Sequence, residues 1–261
     1  MSAGRERRFD DWEPVTLGDS GTEVRRSKDG NTYVKIARTP TQAAELRDER
    51  DRLAWLATTA EVIAARVLDW FETTEGGSLV ASAVQGVPAS SVPVERADRA
   101  ASTIVDFLDV LHALPTAECP FDRRLTATLA LARENLDAGR VDEDDFDDER
   151  RGWSAHDVLD TLLEERDRAA RLEPEDMAVC HGDLSLPNVV LDPVTLVVTG
   201  IVDVGRLGVA DRHLDLALLT RSMAAVDLNP SYGRTIAEAV TERTEADPWR
   251  LGYYRALDEM F

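Results

Sequence analysis

The sequence predicts an α+β protein of two lobes, a small β-rich lobe followed by a larger, mainly helical one. Three observations predict it. Residues 12–84 hold five short β-rich runs around a single helical stretch. Residues 85–93 carry Gly86, Pro88 and Pro93 and read as a linker. Beyond them, apolar residues recur at helix spacing for most of the remaining chain. The boundaries that follow are 1–84 for the first lobe, 85–93 for the hinge and 94–261 for the second lobe.

The elements follow in order. Residues 12–17 and 23–27 are short strand runs separated by Gly18-Asp19-Ser20-Gly21. Asp29-Gly30 signals a tight turn, and 32–36 then alternates as a strand. Leu46, Leu53 and Leu56 among charged neighbours make 42–56 a helix. Residues 67–71 and 79–84 are two further strands. In the second lobe, Ala97, Ala101, Ile104, Leu108 and Leu111 form one helical stripe, with Pro115 just past its end. Leu125, Leu129, Ala132 and Leu136 form another, ended by Gly139. Ser154 with Asp157 predicts an N-cap and an acidic first turn, opening a helix to about Ala170. Four short β-rich runs, 178–180, 189–191, 196–198 and 201–202, form an insert, and helices fill the rest.

The chain has 261 residues, enough for one large domain or two modest lobes with a buried core. A net charge of −20 argues against nucleic acid or an anionic membrane as partner, because phosphate surfaces need a basic footprint. It favours a cationic partner, or simply solubility. Of the 30 basic residues only Lys28 and Lys35 are lysines, so a lysine inside a strand invites a reason. Two cysteines make no disulfide framework, and no run approaches a membrane span. A cytoplasmic protein, monomeric or weakly dimeric, is the expectation.

The densest chemical signal is His181-Gly182-Asp183-Leu184-Ser185-Leu186-Pro187-Asn188, with Asp203 fifteen residues after Asn188. Each polar residue adjoins a short apolar strand, so three oxygen-bearing side chains converge on one end of a small sheet. Mg²⁺ with nucleotide phosphates needs such hard oxygen ligands, few from protein and the rest from water and phosphate. The remaining Asp can then accept or orient a hydroxyl proton. The competing reading is that Asp and Asn merely form turns. Lys35 likewise reads either as a phosphate contact or as a strand residue with its head in solvent.

His-Gly-Asp-x4-Asn followed by Asp resembles the kinase-like phosphotransferases of small molecules. The longer run from His181 to Asn188, with Asp203-Val204-Gly205-Arg206 through Asp211-Arg212 and Asp215, is more particular. So is the ending Tyr253-Tyr254-Arg255-Ala256-Leu257-Asp258-Glu259-Met260-Phe261. Both resemble the aminoglycoside 3′-phosphotransferases, as does Cys119-Pro120-Phe121-Asp122. The resemblance spans nearly the whole chain, weakest before Thr32 and between Ala224 and Asp247.

It implies a protein-kinase-like fold and ATP-dependent phosphorylation of the 3′-hydroxyl of kanamycin- or neomycin-type antibiotics, giving resistance. It makes Asp183 the catalytic aspartate and Arg206 an active-site residue that orients Asp183 or its loop. It makes Asn188 and Asp203 the Mg²⁺ ligands and His181 a support for the loop. Lys35 would contact the nucleotide phosphates and pair with Glu49, with Glu45 one turn away as the competing partner. Tyr33, on the same strand face as Lys35, would stack on adenine. Ser82 and Val84 would offer backbone groups to the base, and Ser20 would lie near the phosphates. The implied nucleotide is ATP, with GTP admissible. The loop at Gly18-Asp19-Ser20-Gly21 lacks a G-x-G-x-x-G pattern, which argues against the protein kinases themselves.

Seven of the eight residues from Asp142 to Glu149 are acidic. Such a run is either a solvated, flexible face, a calcium loop, or a counter-surface for a polyamine. The resemblance assigns Asp147, Asp148 and Glu149 to substrate ammonium groups. It assigns Asp258, Glu259 and the Phe261 carboxylate likewise. The stretch 222–226 lacks an acid that some relatives place on substrate. The alternatives are a kinase of another hydroxylated metabolite on the same fold, and a non-catalytic acidic protein that binds polyamines or Ca²⁺.

Overall fold

The structure, a computed structural model, describes residues 9–15, 22–59 and 62–261. Its first lobe is a five-stranded antiparallel sheet in the order β1-β2-β3-β5-β4. The strands are β1 (Glu13–Val15), β2 (Glu23–Arg26), β3 (Thr32–Ala37), β4 (Val67–Glu72) and β5 (Gly77–Ser82). Alternation along β3 divides its side chains between the faces. Val34 and Ile36 pack with Phe9 and Val80 in a small core of their own. Tyr33, Lys35 and Ala37 take the opposite face, where Ala37 and Leu79 join Ala43, Leu46 and Leu53 of helix α1 (Pro40–Leu56). α1 starts two residues before the sequence pattern suggests. Thr39 caps it, accepting from the Gln42 amide, and Pro40 occupies the first turn, where its missing N–H has no partner to lose.

The hinge is more ordered than its composition implies. Val87–Pro88 forms β6, which pairs with β8 (Val189–Leu191), and Ala89 is fully buried. A second tie crosses the lobes where the Ile201 amide donates to the Ile63 carbonyl at 3.0 Å.

The second lobe packs α2 (Ala97–His112), α3 (Leu125–Asp137), α4 (Ala155–Leu172), α5 (His213–Ala224), α6 (Arg234–Arg243) and α7 (Pro248–Asp258). Ser154 and Asp157 close a capping box on α4, as the sequence predicts. The apolar helix α5 is buried almost all round, at the centre of this lobe. Two small sheets lie above it. One pairs β7 (Met177–Cys180) with β10 (Gly208–Asp211); the other is β6-β8-β9, with β9 at Val198–Ile201.

Here the structure departs from the sequence reading. Residues 196–198 and 201–202 are not two strands. Leu196 has φ 64° in a turn that Asp192 organises, its carboxylate accepting from the Val194 and Thr195 amides, and β9 begins only at Val198. β10 escaped the reading altogether. All four of its residues are buried, so it carries no alternation to detect. Among the described residues no helix is long and apolar enough to cross a membrane.

Candidate active site

The loop between β7 and β8 is held from beneath. Asp215, at the start of α5 and 0% exposed, accepts the His181 amide at 2.8 Å and the Gly182 amide at 2.9 Å. His112, at the end of α2, donates to the same carboxylate at 3.0 Å. The Asp183 amide donates to His181 Nδ1, which leaves the proton on Nε2 to bind the Val202 carbonyl at 2.9 Å. His181 therefore joins two loops and is fully buried. Gly182 has φ 82°, and a Cβ there would lie 2.1 Å from the Arg206 carbonyl oxygen. Only glycine allows that approach.

Asn188 turns its Nδ2 inward, to the Asp183 carbonyl at 2.9 Å and Asp183 Oδ2 at 3.3 Å. Its amide oxygen is thereby turned away from Asp183. The Val202 amide donates to the Asn188 carbonyl at 3.0 Å, which brings Asp203 beside Asn188. Asp203 adopts φ 59°, a left-handed conformation that Asp tolerates better than most residues. Burial raises the Asp183 carboxyl above its ordinary value, against the pull of Arg206 and His181.

From the other lobe, Lys35 Nζ lies 2.8 Å from both Glu49 oxygens and 2.9 Å from Asp203 Oδ1. Of the two glutamates on α1, it is Glu49 that meets Lys35; Glu45 is exposed. Burial disfavours the charges of this trio. Glu49 is raised by it despite Lys35. In Lys35 the charges of Glu49 and Asp203 overcome burial and raise the ammonium, and in Asp203 Lys35 overcomes it and lowers the carboxyl. A carboxylate and an amide oxygen are a hard donor set that suits Mg²⁺, which keeps water and phosphate in its other positions.

Tyr33 lies under the Arg26 guanidinium, 5.9 Å from ring centroid to Cζ. The Ser82 amide donates to the Arg66 carbonyl and the Ala83 amide to that of Asn31, so both are committed to the sheet. Val84 adjoins Gly200 at the hinge. Ser20 lies outside the described residues.

The two acidic clusters meet. The Asp147 amide donates to Glu259 Oε1 at 3.3 Å, which brings the acidic loop against the end of α7. The loop is not simply a solvated face, because Phe146 is buried and Asp147 half-buried. Arginines hold most of these acids. Arg150 binds Asp147 at 2.8 Å and lies 3.7 Å from Glu259. Asp258 is shared between Arg206, at 2.9 Å, and Arg221. Burial, then the neighbouring Asp147, pushes the Glu259 carboxyl up to about 7. Asp148 pairs with Arg151 at the surface, and Glu149 is exposed, with Arg150 4.0 Å away. The Phe261 ring sits between the Arg123 and Arg206 guanidiniums, 5.3 Å from each.

Arg206 reaches the end of α7. Its hydrogen bonds go to Asp258 and the Phe261 main-chain oxygen, at 2.9 and 3.1 Å. Toward Asp183 it contributes charge, and its backbone packs on Gly182. Sequence reasoning gave Asp215 no task and missed Arg150 and Arg221. With 30 basic residues, nearly all arginine, nothing local marks the few that face the cleft. The α2 stripe that ends at His112 offered a signal for Asp215, since a His on an apolar stripe needs a buried partner.

Comparison with known proteins agrees with this geometry. The model of a phosphotransferase enzyme family matches residues 11–250. An aminoglycoside 3′-phosphotransferase of Streptomyces fradiae is 42% identical, covering 96% of this chain and 95% of its own. A streptomycin 3″-kinase of Streptomyces griseus is 40% identical, covering 96% and 92%. The structure of an aminoglycoside phosphotransferase from Streptomyces rimosus, in complex with ADP and streptomycin, superposes with a TM-score of 0.84 at 35% identity, covering 99% of this chain and 97% of that one. The loop of Asp183 and Asn188, the Lys35–Glu49 pair and these likenesses converge: the chain belongs to the phosphotransferase enzyme family, and within it to the aminoglycoside phosphotransferases.

Proposed function

We propose that the protein transfers the γ-phosphoryl group of ATP to the 3′-hydroxyl of a kanamycin- or neomycin-type aminoglycoside. The observation that carries this is the chain Glu49–Lys35–Asp203, which draws both lobes onto one cleft beside Asp183 and Asn188. Tyr33 stacks on the base, and Val84, at the end of the first lobe, offers it a backbone amide, since the Ser82 and Ala83 amides are taken; Ser82 offers its carbonyl. Lys35 binds the nucleotide phosphates. Asn188 and Asp203 hold Mg²⁺, which supplies positive charge for the phosphates.

Asp183 accepts the proton of the acceptor hydroxyl as its oxygen attacks phosphorus in line. The bond to the bridging oxygen of ADP breaks, and Asp183 passes the proton to solvent. Its raised pKa makes it a better acceptor than an exposed aspartate. The remaining barrier falls through positioning and charge. Asp147, Asp148, Glu149, Asp258, Glu259 and the Phe261 carboxylate receive the substrate's ammonium groups, which compete for them with Arg150, Arg151, Arg206 and Arg221. No phospho-enzyme forms, and the product is the phosphorylated antibiotic that a resistant cell tolerates.

A second reading is transfer to the 3″-hydroxyl of streptomycin. It is favoured by the near-equal identity to the 3′- and 3″-acting relatives, 42% and 40%. ADP release with Mg·ATP separates the two. Kanamycin as a substrate, with its 3′-deoxy analogue tobramycin and streptomycin inert, supports the first. Streptomycin alone supports the second. Release with none of them, across a broader aminoglycoside panel, overturns both. Asp183→Ala is expected to abolish turnover and to leave nucleotide affinity unchanged.

A further inference from the structure

Arg52 lies one turn after Glu49 on α1, on the same face of the helix. It is 8% exposed, although it is an arginine. Its Nε donates to the Leu207 carbonyl at 2.7 Å, across the two lobes. One terminal nitrogen donates to the Asp48 carbonyl at 3.0 Å, and the guanidinium lies 4.7 Å over the Phe121 ring. The acids near it are exposed: Asp48, 3.8 Å away and 65% exposed, and Asp51.

Leu207 is not an arbitrary carbonyl. Its amide donates to Val204 at 3.0 Å and closes a tight turn that begins next to Asp203. Within that turn, a Cβ on Gly205 would stand 3.8 Å from Glu49 Cβ, so α1 rests directly on the turn. The contacts therefore close a ring. Asp203 binds Lys35, Lys35 binds Glu49, α1 carries Glu49 to Arg52, Arg52 binds Leu207, and the turn returns to Asp203.

A buried guanidinium facing a carbonyl, with only exposed acids nearby, is a poor source of stability, and an apolar side chain would fill the space as well. What the arginine adds is a fixed distance between helix and turn. We propose that Arg52 is a positioning residue for phosphoryl transfer. It fastens α1 to the Asp203 turn and so keeps Lys35 and Asp203 aligned across the cleft. The proposal rests on the phosphotransfer reading above.

The test compares the purified full chain with Arg52→Met, which keeps the bulk, and Arg52→Lys, which keeps the charge. For Met, kcat is expected to fall about tenfold or more, the scale on which small misplacements act. The Mg²⁺ concentration for half-maximal rate rises several-fold, and the aminoglycoside KM stays within about twofold. Lys falls between Met and the parent. A lower melting temperature with kcat per folded molecule and Mg²⁺ requirement unchanged overturns the proposal. If Met does not fold, Lys alone decides by the same readouts. If the parent phosphorylates no aminoglycoside, the functional reading fails by itself. Arg52 is then judged by Mg²⁺-dependent binding of a non-hydrolysable ATP analogue, which must weaken in the variants for the proposal to stand.

Discussion

Asp215→Asn isolates what holds the catalytic loop. The carboxylate serves three donors, the Gly182 amide on Oδ1 and the His181 amide and His112 on Oδ2. An asparagine has one oxygen. Whichever way its amide turns, an –NH₂ faces at least one buried N–H. A buried donor without a partner costs about 1–3 kcal/mol, and the remaining bonds lose the strength that charge lends them. The variant should lose about 3 kcal/mol, which for a chain of this size is about 6–12 °C in melting temperature. Because the loop carries Asp183, kcat of the surviving fold should fall with it. Thermal unfolding and ADP release on one preparation measure both. His112→Phe, which removes one donor and leaves both amides held, is the control and should lose about 1 kcal/mol. A melting temperature within about 2 °C of the parent, with unchanged kcat, would refute the reasoning.

Three other outcomes follow from the same geometry. Gly182→Ala should give little folded protein or a melting temperature lower by about 10 °C or more, since a Cβ would meet the Arg206 carbonyl at 2.1 Å on a backbone at φ 82°; a normal melting curve contradicts this. Glu259, pushed up to about 7 from 4.5, holds its proton more tightly folded than unfolded. Its contribution is most favourable below pH 4.5 and is lost as pH rises toward 7, so Glu259→Gln should remove that decline from urea titrations run between pH 4 and 8. Asp183 must be ionised to accept a proton and burial raises its pKa, so the acid limb of kcat should lie above 3.8; a limb at or below 3.8 shows that burial does not govern it.

Much of this was legible in the chain because local chemistry carried it. Ser154 and Asp157 announce a helix start, and Thr32 to Ile36 alternate because one strand face is core and the other cleft. The spacing of Asp183, Asn188 and Asp203 survives folding because short strands bring loops to one end of a sheet. What stayed hidden was set by pairing between distant elements. β10 is buried all over and has no period. Leu196 looks like a strand residue and is bent into a turn by the Asp192 side chain. The meeting of Asp147 with Glu259, and the arginines that hold the acids, depend on packing across α7 that no local pattern encodes.

Lysine occurs twice in the chain, as Lys28 on an exposed turn and Lys35 in the cleft. An acylating reagent needs a neutral amine, and the grip of Glu49 and Asp203 keeps Lys35 protonated. Lys28 is open to the reagent on its exposed turn, whereas Lys35 is labelled only in molecules whose ion pair has opened. The ratio of the two adducts in a mass spectrum therefore counts open and closed cleft populations, with no dye, tag or substitution added to the protein.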